Sequence, residues 1–202
     1  MPSHQGLGRS YVKVDGDLTY ADGRAGSAVI RLGEGGSELS IVRPSTVRLN
    51  ARIAARLNPQ SDEQIRRTKR TEKPFWHLER ARIGDSQDVP IEVIVNGQSV
   101  ARKTITANGQ LQDVSFEIGI ERSSWVALRI LPSLHTNPIW VRVADKPVRA
   151  SQRSIEWCLL GVDRCWSQKQ RFIAPAELAQ ARSDYDHARR VYRQRLAEAD
   201  VP

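Results

Sequence analysis

Histidine and cysteine are both scarce in this sequence, with four His and two Cys among 202 residues. His4, His77, His135 and His187 are scattered, and no HxH, HExxH or CxxC spacing occurs. No local motif therefore supplies the three or four ligands of a metal centre. Cys158 and Cys165 lie seven residues apart. On a helix that spacing puts them on one face but about 10 Å apart along the axis, too far for a disulfide. They are expected to be free thiols acting as small apolar groups. There is no Gly-x-Ser-x-Gly elbow for nucleophilic catalysis. Gly33, Gly35 and Gly36 lack the Lys and following helix of a phosphate loop and are read as a turn. No apolar run approaches the roughly 18 residues of a membrane span. Residues 1–8 lack the charged start and apolar block of a signal peptide. The chain as given is expected to be soluble and not exported by itself, cytoplasmic as it stands and periplasmic only as a piece of a longer precursor. No cofactor is expected.

Composition is that of an ordinary globular protein, with 40% apolar and 27% charged residues. Residues 151–202 carry nine Lys/Arg against seven Asp/Glu, so most of the formal +8 falls on residues 1–150. The densest cationic patch is Arg66, Arg67, Lys69, Arg70 and Lys73. Such a patch attracts polyanions. Yet no aromatic interleaves with it and no nucleic-acid motif surrounds it, so it reads as a solvated basic loop and nucleic acid is not an expected partner.

From Leu18 to Val143 the pattern is one of short strands, expected near 28–32, 38–42, 46–53, 76–83, 91–95, 99–105, 114–118, 125–130 and 139–143. The clearest sets Val47, Leu49, Ala51 and Ile53 on one side and Arg48, Asn50 and Arg52 on the other. Asn96–Gly97 is a strong two-residue hairpin signal. Residues 58–74 form a polar, basic loop. The expected fold class is mainly β with α: a tail over 1–9, an antiparallel β-sandwich over 10–147, and a helical hairpin over 148–202 docked on the sandwich. In the hairpin, Ser151 or Ser154 caps a helix whose stripe is Ile155, Leu159, Val162 and Trp166. Pro175 opens a second helix, striped by Leu178, Ala181, Tyr185, Ala188 and Tyr192.

The candidate site residues are Trp76, His77, His135, Thr136 and Asn137. His135 can ligate, shuttle a proton or hydrogen-bond a substrate; equally, Asn137 before Pro138 is what a plain turn uses. Trp76–His77 at a strand start either lines a pocket or plugs one end of the sandwich. Trp125, Trp157 and Trp166 are read as core or docking contacts. Glu79 and Glu156 are carboxylates with no second acid in view. A composite metal site from His77 and His135 is the only one the sequence leaves open.

Three stretches carry a resemblance. They are Ser123–Ser124–Trp125–Val126–Ala127–Leu128–Arg129–Ile130–Leu131–Pro132 with His135–Thr136–Asn137–Pro138, then Ser151–Gln152–Arg153–Ser154–Ile155–Glu156–Trp157–Cys158, then Tyr185–Asp186–His187–Ala188–Arg189. Together with Phe75–Trp76–His77–Leu78–Glu79–Arg80 they resemble the C-terminal part of CehA/McbA-type metallohydrolases, whose catalytic domain is PHP-like. Leu134 stands where that family more commonly has serine. The resemblance implies a non-catalytic accessory part of a metal-dependent hydrolase, with a PHP-like catalytic domain or an identical subunit as partner. The metal-ligand domain has no counterpart in this sequence, so no catalytic residue or metal ligand is carried over. A truncated gene, a split enzyme or an expressed fragment is the expectation. The alternative is a free-standing sandwich module that binds a sugar or other small ligand, for which exposure of Trp76 and Trp125 on a concave surface is the discriminating feature.

Overall fold

The structure, a computed structural model, describes residues 11–20, 30–31, 38–69, 71–73, 75–149 and 151–199. The tail expected over 1–9 and the glycine-rich turn lie outside the described residues, as does most of the strand expected at 28–32. The chain divides into two units, Met1–Lys146 and Pro147–Pro202.

The first unit is two sheets. One has the order β2-β1-β4-β7, from Ile30–Arg31, Tyr11–Tyr20, Ser45–Arg56 and Gln112–Ile120. The other has the order β3-β10-β8-β5-β6, from Glu38–Ile41, Ile139–Val143, Ser124–Ile130, Asp88–Val95 and Gln98–Thr106. The two-residue strand β9, Leu134–His135, pairs with β8. Mainly β with α, a sandwich followed by a helix pair, is what the chain forms.

Strands β3, β7 and β10 bury alternate residues, and β4 does so as far as Ile53, as a pleat packed on one side must. Val47, Leu49 and Ile53 of β4, Val89, Ile91 and Val93 of β5, and Val126, Leu128 and Ile130 of β8 are all 0% exposed in one shared core. Burying each such side chain contributes about 1.5–3 kcal/mol. Asn96 and Gly97 turn β5 into β6 with φ of 50° and 89°, the paired positive values a two-residue hairpin of this twist requires. Asn96 also accepts from the Trp125 N–H (3.1 Å) and donates to Ser124 Oγ (2.9 Å), which staples the hairpin to β8.

Three expectations need correction. The sandwich is not antiparallel throughout: β3 runs parallel to β10. After β3 the chain crosses to the other sheet, and β10 returns much later to the same edge in the same direction. Residues 76–83 are not a strand but turns around a 3-10 helix at Leu78–Ala81. The cause is the i,i+3 pair Glu79–Arg82, whose side chains are 3% and 0% exposed and can meet only if the chain curls. The basic loop holds a short helix α1, Glu63–Arg67, capped by Asp62 accepting from the Ile65 N–H at 3.0 Å.

The second unit is an antiparallel pair, α2 (Gln152–Lys169) and α3 (Leu178–Ala197). Ser151 caps α2 by accepting from the Ser154 N–H at 3.2 Å. The stripe expected on α2 is half-buried throughout, and that on α3 is half-buried from Ala181 to Tyr192, whereas Leu178 at its start is exposed. Trp166 packs on Tyr185 with ring centroids 5.0 Å apart. Arg189 binds Asp163 at 2.7 Å, and Arg149 binds Glu198 at 2.7 Å. Helix α3 starts at Leu178, after Pro175, because residues 175–177 form a turn. Trp157 is 75% exposed, so within its unit it is not a core contact. Both cysteines are free and half-buried. No helix among the described residues is long and apolar enough to cross a membrane.

Candidate functional site

The core takes every second residue of β8 and β10, so the residues out of phase stand on the opposite, solvent-side face of the sheet. On β8 these are Trp125, Ala127 and Arg129; on β10 they are Trp140 and Arg142. Strand register then decides the neighbours. Trp140 lies directly across from Trp125, Ile94 across from Ala127, and Glu92 across from Arg129, whose other side faces His135. Ala127 is thus a small side chain ringed by large ones. The result is a hollow of about 400 Å³ with Ala127 at its base and Trp125, Trp140, Pro138, His135, Arg129 and Ile94 around it. Trp140 is 42% exposed and Trp125 is half-buried. Neither indole stacks on another ring among the described residues.

The loop after β8 sets His135 in place. Ser133 N–H donates to the Ile130 carbonyl at 2.8 Å, and the chain doubles back. Thr136 then clamps it twice: its N–H donates to the Leu128 carbonyl (2.9 Å), and its Oγ1 accepts from the Leu128 N–H (3.1 Å). His135 Nδ1 lies 3.3 Å from the Thr136 carbonyl oxygen. Asn137 is exposed and outside the hollow. One segment therefore serves as turn and as wall.

Electrostatics at the rim centre on Glu92, whose side chain is only 7% exposed although it stands on the solvent-side face. Arg129 donates to Oε2 through Nε (3.0 Å) and Nη2 (2.7 Å), while Arg102 holds Oε1. The hydrogen bond from Arg102 pulls the Glu92 carboxyl below the ordinary carboxylate range; burial opposes it, and Arg129 reinforces it. Glu92 is a fixed anion between two cations.

Trp76 and His77 are elsewhere. Trp76 is 52% exposed and edge-on to Phe75, with centroids 4.5 Å apart. His77 Nδ1 accepts from the Glu79 N–H at 3.1 Å and caps the 3-10 helix. Near them a larger concavity of about 660 Å³ is lined by Arg66, Arg80, Arg82 and Phe75. Size does not make it the better site, because its cations are engaged within the chain. Arg66 binds Glu63 (2.7 Å) and Asp85 (3.4 Å), and Arg80 donates to the Lys69 carbonyl (3.2 Å). Arg82 is locked to Glu79. Glu79 is consequently no free acid: burial raises its pKa, but hydrogen bonds from Arg82 and the Asp62 N–H, with nearby arginine charge, hold it below the ordinary value. Among the described residues no three His, Cys, Asp or Glu side chains gather as metal ligands would, and neither of these two hollows is lined by both His77 and His135.

The structure thus brings together His135, Thr136 and Trp125, and leaves Trp76, His77 and Asn137 outside. Trp140, Arg129, Ile94 and Ala127 escaped sequence reasoning as site residues. The alternation in β8 and β10 already places Trp125 and Trp140 out of phase with the core; their pairing is a matter of register. Fold and site define a β-sandwich module with an indole-walled hollow on one sheet face. No protein family, curated protein or solved structure matches the chain.

Proposed function

We propose that the β-rich unit is a non-catalytic binding module whose hollow takes a small ring-bearing ligand, a sugar or similar. One observation carries this: two directly opposed indoles stand on the solvent side of a sheet beside an alanine-floored hollow. Solvent-side tryptophans unstacked by other rings are apolar faces left for a planar or pyranose ring. The volume is in the range of small-molecule sites and accepts one or two rings. The test is an ¹⁵N-labelled chain titrated with a panel of monosaccharides and small aryl compounds. Shifts are expected at the indole N–H signals of Trp125 and Trp140, and the substitution Ala127→Ile, which fills the hollow from the face away from the core, should abolish them. A panel that leaves those signals unmoved, or moves them equally in the filled variant, rejects the reading.

A second reading follows from the resemblance to CehA/McbA-type hydrolases. Here the chain is the accessory part of a metal-dependent PHP-like enzyme, and the His135 loop is a lip facing the substrate of a partner domain or identical subunit. Exposure of Trp157 (75%) and Leu160 (68%) on α2 supports a packing partner. The metal-supplemented chain alone should then hydrolyse neither aryl nor phosphate esters. Stoichiometric metal with chelator-sensitive turnover would overturn both readings.

A further inference from the structure

We infer that the ligand of the hollow is an acid: a ring carrying a carboxylate, with the ring against Trp125 and Trp140 and the carboxylate at Arg129 and His135. This rests on the reading of the hollow as a ligand site and adds the chemical class of what it holds.

A row of side chains crosses the sheet at one end of the hollow. Register places Arg102, Glu92, Arg129 and His135 side by side on β6, β5, β8 and β9. Two guanidinium groups share one carboxylate, so the row is net positive by one before His135 is counted. Arg129 is the member that borders the hollow, with its side chain 27% exposed. Its Nε and Nη2 are both spent on the same Glu92 oxygen, which fixes the plane of the guanidinium. Its Nη1 makes no hydrogen bond to any described residue. A cation held in place by a buried carboxylate, with donors left over, is prepared for a second anion and loses little rotamer freedom on binding it. His135, directly across from Arg129, presents an exposed ring edge at the same rim.

The opposite end of the hollow carries no charge. Trp125, Trp140, Ile94 and Pro138 offer only apolar faces and the indole N–H groups. A neutral ring would satisfy that end while desolvating Arg129 without compensation. An inorganic anion would satisfy Arg129 and leave the indoles unused. A ring carboxylate uses both ends. Two sources share this chemistry, a uronic acid and an aryl carboxylate, and they differ in whether a sugar C–H face or a π face lies on the indoles.

The experiment is calorimetric titration of the full chain with matched pairs: methyl glucuronide against methyl glucoside, and benzoate against benzamide. The acidic member of one pair is expected to bind about tenfold to a hundredfold tighter than its neutral partner, the worth of a charge-assisted hydrogen bond. Which pair shows it names the source. Added salt should weaken the acid and leave the neutral partner unchanged. His135→Gln should reduce the acid's advantage, and Arg129→Gln should abolish it. Should Arg129→Gln fail to fold, Glu92→Gln decides instead: removing the competing carboxylate frees Arg129, and the acid should bind tighter, the reverse of what a merely structural role predicts. If the neutral and acidic members bind alike, with binding lost in Ala127→Ile, the hollow reading stands and the acid proposal is overturned. If neither binds in a way that Ala127→Ile removes, both fall.

Discussion

Replacing Arg82 by methionine removes a guanidinium whose side chain is wholly buried while keeping much of its length. In the native fold Nε and Nη2 grip the two Glu79 oxygens at 2.6 and 2.8 Å, Nη1 donates to the Ser86 carbonyl at 2.8 Å, and Nη2 to the Asn58 carbonyl at 2.7 Å. One side chain thus ties the 3-10 helix to the chain on either side of it. Without it, the Glu79 carboxylate keeps the Asp62 N–H at 3.0 Å and no buried counter-charge. Breaking such a pair from one side costs about 3–5 kcal/mol, because a buried charge is stranded. Asn58 and Ser86 are exposed residues, so their carbonyls can turn to water and add little. At about 2–4 °C per kcal/mol for a chain of this size, Tm should fall by roughly 10 °C. Thermal melts followed by circular dichroism at pH 7 measure it. The double variant Glu79→Gln/Arg82→Met strands no charge and should recover at least about 1 kcal/mol. A single variant within about 1 kcal/mol of the parent would refute the reasoning, as would a double variant less stable than the single.

Acid should destabilise the fold through Glu79 and Glu92, both held below their ordinary pKa. A depressed carboxyl contributes stability above its unfolded value of about 4.3, and that contribution is lost as pH falls through the lower folded value. Urea midpoints from pH 7 to pH 3 should therefore drop most steeply below about pH 4.3, and Glu92→Gln should flatten the curve; an unchanged slope in that variant removes Glu92 from the account. Leu128→Ala, at a core position with no exposure, should cost about 2–5 kcal/mol in urea unfolding. Asn96→Ala loses the bonds to Trp125 and Ser124 at a position with φ of 50°, and should cost more in the same assay than Ser99→Ala on the neighbouring strand. Ser151→Ala should lower the stability of the helical pair by about 1 kcal/mol, read from the helical signal on heating.

Much of this architecture is legible in residues close together along the chain. The alternation in β4, the Asn96–Gly97 turn and the two helix stripes each depend on local periodicity or turn chemistry, and each is where it was expected, apart from the exposed Leu178 at the start of α3. The strand expected at 76–83 shows the limit. Its composition suits a strand, yet Glu79 and Arg82 find each other and the chain on both sides, and a buried ion pair three residues apart outweighs strand propensity. Strand β9 is too short to leave a periodic signal, and it exists because Thr136 binds both backbone groups of Leu128.

The site divides in the same way. By itself the sequence determined which residues of β8 and β10 face the core and which do not, because a pleat alternates whatever its neighbours are. It therefore put Trp125, Ala127, Arg129 and Trp140 on a common kind of face. Only the tertiary structure decided that Trp140 stands beside Trp125, that Ala127 is ringed, and that Glu92 holds Arg129 at the rim. Those neighbours come from strands far apart along the chain, and their register is settled by packing across the whole core.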